Sequence, residues 1–266
     1  MKLGIGSYTY AWAVGVPGSP PPRPLDARAL CQRALDLGVR VVQLCDNLPL
    51  PDSELDGLLD FARRHGLTIE WGTRGLDDAT LNAIAPRLEL FGCPFVRLVV
   101  DRGPFQPSPE EVVDRLRHWL ATLPDSVNIA LENHDRFSAA QLAAIIEATG
   151  RARVGITLDT VNSFGALEGP RVVVETLAPH VINLHIKDFV VRRVPSQLGF
   201  VIEGRPAGQG QLDIPWLLGA LRAAGRHPNA ILELWTPPAD TLDDTLRRES
   251  QWAESSVAFL RRYLSE

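Results

Sequence analysis

Eight short apolar runs, each followed by a segment of helical character, alternate along the whole of this 266-residue chain. Strands are expected near 3–9, 39–45, 67–72, 95–100, 127–132, 154–159, 181–186 and 229–235. Helices are expected near 25–38, 52–65, 77–91, 108–122, 138–149, 169–178, 213–225 and 243–264. Ser108-Pro109-Glu110-Glu111 and Asp213-Ile214-Pro215 read as helix openings, and Gly38, Gly66, Gly92, Gly150 and Gly225 stand where helices should stop. Ala253, Val257, Leu260 and Leu264 give the last helix an apolar stripe. Strand–helix alternation implies parallel strands joined by crossovers, and eight such units in about 250 residues close into a barrel. The expected fold is therefore α/β: a single (β/α)8 TIM barrel, one domain over 1–266. An open doubly wound sheet would need a Gly-rich phosphate turn after an early strand, and none is present.

Two connections are long. A Pro-rich loop, 15–24, follows the first strand, and Phe189 to Gln211 follows the seventh. Both lie on the barrel face where active sites sit. In the second, Val190-Val191 and Phe200-Val201-Ile202 flank Pro195 and Gly199, so a β-hairpin lid is expected, with a mobile loop as the plain alternative.

Four of the expected strands end on a side chain that binds metal: Ile129-Ala130-Leu131-Glu132, Ile156-Thr157-Leu158-Asp159, Ile182-Asn183-Leu184-His185 and Ala230-Ile231-Leu232-Glu233. Alternation along a strand turns the larger apolar residues toward the helices and Glu132, Asp159, His185 and Glu233 toward the barrel axis. Each alone reads as easily as a helix cap or a packed polar group. Together, buried without a counter-ion, three carboxylates and an imidazole would cost several kcal/mol. One bound divalent cation removes that conflict. Three oxygens and one nitrogen favour Mn2+ first, with Mg2+, Co2+ or Zn2+ as alternatives. Two open coordination positions would suit adjacent oxygens of a polyol or keto-sugar, acidifying the neighbouring C–H and stabilising an enediolate.

Composition narrows the partners. Apolar and charged shares of 45% and 22% suit a globular protein, and a formal net charge of −5 argues against nucleic acid. No run of about 18 apolar residues exists, so no membrane partner is expected. Cys31, Cys45 and Cys93 cannot all pair, and no signal peptide is visible, which favours the cytoplasm. Self-association into a homo-oligomer is left open.

The order Glu132, Asp159, His185, Glu233, with Leu131-Glu132-Asn133-His134, Leu158-Asp159-Thr160, His185-Ile186-Lys187-Asp188 and Gly208-Gln209-Gly210, resembles the xylose-isomerase-like TIM-barrel superfamily over essentially the whole chain. That group includes ketose 3-epimerases, hydroxypyruvate isomerases, inosose dehydratases and endonuclease IV. The resemblance implies that Glu132 and Glu233 are metal ligands and also the acid/base pair, one removing a proton and the other returning it. Asn162 stands where ketose 3-epimerases usually carry a histidine, and an amide cannot shuttle protons near neutral pH. Endonuclease IV uses three zinc ions and several histidines from earlier strands; the strand ends near Asp46, Trp71 and Asp101 offer none.

Further candidates surround this centre. Lys187 should point inward, to stabilise an enediolate oxygen or to pair with Asp188 or another strand-end acid. His134 and Asn162 are candidate substrate contacts; Asn133 and Asp188 are candidates for orienting the ligands. Arg192 and Arg193 in the lid can hold a carboxylate or phosphate, or be plain surface charge. Tyr8, Trp12, Trp71 and Trp235 offer flat walls for a sugar. Arg74, Arg97 and Arg102 form an unranked polar set, and His65, His118, His180 and His227 have no assigned chemistry.

The leading expectation is a divalent-metal-dependent sugar isomerase or epimerase acting on a ketose or related polyol by proton transfer through a metal-stabilised enediolate. A second is a dehydratase or lyase acting on a keto-polyol or 3-keto-glycoside after the same proton removal. A third is a barrel that binds a sugar or a partner without catalysis.

Overall fold

The computed structural model describes residues 1–265. Its strands are β1 (Leu3–Gly6), β2 (Val41–Leu44), β3 (Thr68–Arg74), β4 (Phe95–Val99), β5 (Asn128–Glu132), β6 (Val154–Asp159), β7 (Val181–Ile186), β8 (Asp188–Arg193), β9 (Phe200–Arg205) and β10 (Asn229–Leu232). The α-helices are α1 (Ala11–Val14), α2 (Ala27–Asp36), α3 (Leu55–His65), α4 (Asp78–Phe91), α5 (Pro109–Thr122), α6 (Ala139–Thr149), α7 (Pro170–Leu177), α8 (Ile214–Ala223) and α9 (Leu242–Leu260). Eight strands close in the order β1-β10-β7-β6-β5-β4-β3-β2, and β8 with β9 forms a separate antiparallel hairpin. The expected (β/α)8 barrel with a hairpin after its seventh strand is the architecture observed. Among the described residues no helix is long and apolar enough to cross a membrane.

Alternation along the strands divides the interior into two unlike regions. Leu44, Trp71, Leu98, Leu131, Leu158, Leu184 and Leu232 belong to the buried apolar cluster shared with the surrounding helices. Each contributes about 1.5–3 kcal/mol by leaving water. On the opposite parity Gln43, Glu70, Arg97, Glu132, Thr157, Asp159, Asn183, His185 and Glu233 are all buried as well. Gly72 keeps this polar interior passable: a Cβ there would lie 2.5 Å from Cys45 Sγ and 3.1 Å from Arg97 Cδ.

Three boundaries differ from expectation. The first strand stops at Gly6, because Thr9 accepts a hydrogen bond from Gly6 N (2.8 Å), donates to the Leu232 carbonyl, and turns Ser7–Tyr10 into a 3-10 helix. The last strand stops at Leu232, although Glu233 N still reaches Ile186 O at 3.1 Å. The last helix ends at Leu260 instead of 264.

Asp188 secures the hairpin to the barrel. Its Oδ1 accepts from Phe189 N (2.8 Å) and Leu212 N (3.0 Å), and its Oδ2 from Gly208 N (2.8 Å) and Gly210 N (2.9 Å). A Cβ at Gly210 would sit 2.1 Å from Asp188 Oδ1, so only glycine allows the loop to approach this closely.

Candidate metal centre and pocket

Strand register brings the four expected ligands together. Glu132 ends β5, Asp159 ends β6 and pairs with His185 of β7, and Glu233 follows β10 directly. All four are at most 2% exposed. One ligand atom from each of Glu132, Asp159 and His185 lies within 4.8 Å of the others, a spacing that can hold a metal ion. His185 Nδ1 stands 3.3 Å from Glu132 Oε2, 3.8 Å from Asp159 Oδ2 and 3.2 Å from Glu233 Oε1. His185 Nδ1 and Glu233 Oε1 are buried without a hydrogen-bond partner. Orphaned buried polar atoms are expensive, and a cation among them would satisfy both. The donor set therefore fits a hard divalent ion.

The expectation that these carboxylates lack counter-ions needs correction. Arg97, 2% exposed, donates through Nε to Glu132 Oε2. Lys187 Nζ lies 2.8 Å from both Asp159 Oδ2 and Glu233 Oε2. Burial pushes the Glu132 carboxyl up, but Arg97, His185 and Lys187 outweigh it and hold it well below the usual range. Burial likewise works against Glu233, and His185 and Lys187 bring it below its ordinary value. Desolvation disfavours the charged Lys187, yet Asp159, Glu233 and Glu132 raise its pKa far enough to keep it an ammonium.

A pocket of about 370 Å3 opens beside this cluster, and Tyr8, Asn162, Lys187 and Trp235 are among its lining residues. Asn162 donates to Glu132 Oε1 at 2.7 Å, and its own Oδ1 lies 3.3 Å from Lys187 Nζ. Burial raises the Tyr8 phenol well above its ordinary value, so it stays protonated.

Other candidates stand elsewhere. Trp71 is 3% exposed and turned outward, edge-on to Phe91 and under Arg87, because Glu70 and Gly72 take the inward parity of β3. It is not a pocket wall. Arg193 stacks on Phe200 and donates to the Gln197 carbonyl within the hairpin, and does not line the pocket. Arg192 is exposed and paired with Glu203. Trp12 donates through Nε1 to Thr236 O (2.8 Å) and lines a neighbouring groove with Ile202, Trp235 and Pro237. His134 is set 3.4 Å from Arg74 Nη2 and 3.2 Å from Asp135, outside the pocket lining. Asn133 does brace a ligand, accepting from Asp159 N at 2.7 Å. Asp188 instead holds the hairpin, and Lys187 pairs with the two strand-end acids rather than with it.

Sequence reasoning missed the layer beneath. Gln43 Oε1 is 2.7 Å from His185 Nε2, and Gln43 in turn donates to Glu70. A single polar residue at inward parity inside an apolar strand was the available signal, and it also marks Arg97 among its neighbours.

Comparisons with known proteins agree with this fold. A family model described as a xylose isomerase-like TIM barrel matches residues 31–263. The chain is 30% identical over 264 residues to the 3-oxo-isoapionate decarboxylase of Pectobacterium atrosepticum, covering 98% of this chain and 95% of that protein. Among solved structures, D-psicose 3-epimerase of Clostridium cellulolyticum H10, with D-tagatose, superposes with a TM-score of 0.73 at 15% identity over 100% of both chains. The IOLI protein with a bound zinc atom gives 0.70 at 19% identity, again over 100% of both. At such identities the two structures speak for the fold alone.

Proposed function

This chain belongs to the xylose isomerase-like TIM-barrel family, and on that premise we propose that it is a divalent-metal-dependent enzyme that decarboxylates a carbohydrate-derived 3-oxo acid. The observation that carries the reading is the pairing of the two glutamates with buried cations. Arg97 donates to Glu132 and Lys187 Nζ lies 2.8 Å from Glu233 Oε2, so each glutamate already faces a fixed cation, which makes both poor bases. Removal of a C–H proton asks for a base poised nearer neutrality. Decarboxylation asks for none: it needs a sink for electrons and fixed positive charge. The name of the relative at 30% identity, a decarboxylase of a 3-oxo acid, supports the same choice.

Glu132, Asp159, His185 and Glu233 would hold the ion, Mn2+ in our reading. When bound it supplies Lewis acidity toward the substrate's oxo oxygen. The 3-oxo group stands β to the carboxylate. The bond between carbons 1 and 2 breaks, its electron pair enters the oxo group to give an enolate, carbon dioxide leaves, and one proton from the medium returns to carbon 2. Lys187 remains charged throughout and opposes the negative charge on the enolate oxygen. Asn162 orients a hydroxyl while holding Glu132 in place, and Tyr8 and Trp235 wall the pocket. The enzyme acts as one barrel domain in the cytoplasm, consistent with its free cysteines.

A second reading is isomerisation or epimerisation of a ketose. It is favoured by Glu132 and Glu233 reaching His185 Nδ1 from different strands, at 3.3 and 3.2 Å. One assay separates the two. Protein loaded with Mn2+ is incubated in deuterated water with 3-oxo sugar acids and, separately, with ketoses. Carbon dioxide release with one deuterium at the vacated carbon is the expected result. Deuterium entering a ketose, with no carbon dioxide from any acid, would establish the second reading instead. Neither product in the presence of metal would reject both.

A further inference from the structure

We propose that Glu70 is a positioning residue that fixes, through the Gln43 amide, which nitrogen of His185 is free to bind metal. The inference rests on the metal reading above and concerns a layer the reaction itself does not touch.

Below the four candidate ligands the barrel is crossed by Gln43, Glu70, Asn183 and Asn229. Glu70 is 1% exposed, and Gln43 and Asn183 are fully buried. Glu70 Oε1 accepts from Asn229 Nδ2 at 2.7 Å. Its Oε2 accepts from Gln43 Nε2 at 3.1 Å and from Asn183 Nδ2 at 3.2 Å. Gln43 Nε2 also donates to Asn183 Oδ1 at 3.1 Å, so both of its hydrogens are committed downward. The Gln43 oxygen then points upward, where it meets His185 Nε2 at 2.7 Å and accepts a longer contact from Cys45 Sγ at 3.6 Å.

Each orientation in this chain follows from the one below it. Turning the Gln43 amide over would set its oxygen about 3.1 Å from two acceptor oxygens, Glu70 Oε2 and Asn183 Oδ1. Buried oxygen–oxygen contacts of that kind are costly. With Gln43 held, its oxygen can only accept, so His185 carries a proton on Nε2. The lone pair of Nδ1 is then the one facing Glu132, Asp159 and Glu233. Released from Glu70, the amide can rotate, present its NH2 to Nε2, and move the imidazole proton to Nδ1, which closes the ligand position. Outer groups of this sort commonly change metal affinity by about 10–100-fold.

The test uses metal alone. In zinc-loaded wild type, 15N NMR of the histidine rings should show His185 protonated at Nε2 and metal-bound at Nδ1; the reverse assignment overturns the proposal. Manganese affinity is then measured by competition with a chelator. Glu70→Leu and Gln43→Leu should each weaken it about 10–100-fold. The double variant should be no weaker than the poorer single one, because both changes cut the same path. Glu70→Gln should bind nearly as wild type, since its carbonyl can still accept from Gln43 while Asn229 turns its own amide. Unchanged affinity in Glu70→Leu, losses that add in the double variant, or a Glu70→Gln as weak as Glu70→Leu would each overturn the relay while leaving the metal site standing. Wild type that binds no manganese would remove the metal reading and the relay together.

Discussion

Lys187 Nζ stands 2.8 Å from Glu233 Oε2 and at the same distance from Asp159 Oδ2, so one ammonium contacts two of the four candidate metal ligands. Lys187 stands two residues beyond His185 on the same parity, and its ammonium also lies 3.3 Å from Asn162 Oδ1. A divalent ion gripped by these carboxylates must share them with this charge. Lys187 therefore opposes metal binding while supplying the positive charge that a developing enolate needs.

Replacing that ammonium separates its two effects. Lys187→Met should bind Mn2+ about tenfold more tightly, a change near 1.4 kcal/mol, because a like charge has left the site. Turnover should fall by about 10²–10³. Titration calorimetry and the carbon dioxide assay read the two numbers independently. Weaker metal binding in the variant would mean that the ammonium supports the ion instead of competing with it.

Arg97 is the buried counter-ion of Glu132, and both side chains are at most 2% exposed. Arg97→Met leaves a carboxylate buried without its principal cation, which should cost the metal-free protein about 3–5 kcal/mol in urea unfolding. Added Mn2+ should restore part of the loss. The acid limb should also change. Glu132 has its folded pKa below the ordinary value of 4.5, so its contribution is complete above 4.5 and is lost as pH falls through the lowered value. Wild-type stability should drop in that window, and Arg97→Met should flatten the drop.

The barrel and the gathering of the four candidate ligands at one end of it were legible because both rest on local pattern. Each of Glu132, Asp159, His185 and Glu233 closes an apolar run, and period-two alternation alone turns it toward the axis. Trp71 could have been excluded on the same grounds, since Glu70 and Gly72 occupy the inward parity on either side of it. What pattern cannot reveal is height along the axis. Arg97 pairs in register with Ala130, two residues below Glu132, and its long side chain climbs to that carboxylate. Gln43 meets His185 from across the closed barrel. Both contacts depend on the stagger of non-neighbouring strands, which no single segment encodes. The early end of β1 depends in turn on Thr9 reaching Leu232, a contact between distant parts of the chain.

Glu249 makes an opposite pH prediction. It is 1% exposed on α9 and accepts from Trp12 N (2.8 Å) and Ala13 N (3.0 Å), at the start of α1. Burial pushes its carboxyl from 4.5 to about 7, against the pull of those two amides and Arg33. An unfolded chain gives up this proton near 4.5 while the folded one keeps it until about 7, so stability should fall as pH rises between those values. The fall is roughly 3 kcal/mol at full size. Glu249→Gln should therefore reduce the slope of urea midpoints between about pH 5 and 7 without abolishing it. An unaltered slope would show that the two amides hold Glu249 ionised.

Asp188 concentrates four backbone amides on one carboxylate and so ties the base of the β8–β9 hairpin to the barrel. Asp188→Asn replaces one acceptor oxygen with an NH2 that must face two amides, each an unsatisfied buried donor costing about 1–3 kcal/mol. The loss should stay local, because β8 and β9 pair only with each other. Hydrogen exchange of the Phe189, Gly208, Gly210 and Leu212 amides should quicken at least about tenfold, while amides of β5 and β6 keep their protection. With the hairpin loosened beside the groove at Trp12 and Trp235, KM should rise more than kcat falls. Equal protection of these four amides in the variant would mean that the Gly208–Gly210 turn holds the hairpin without the carboxylate.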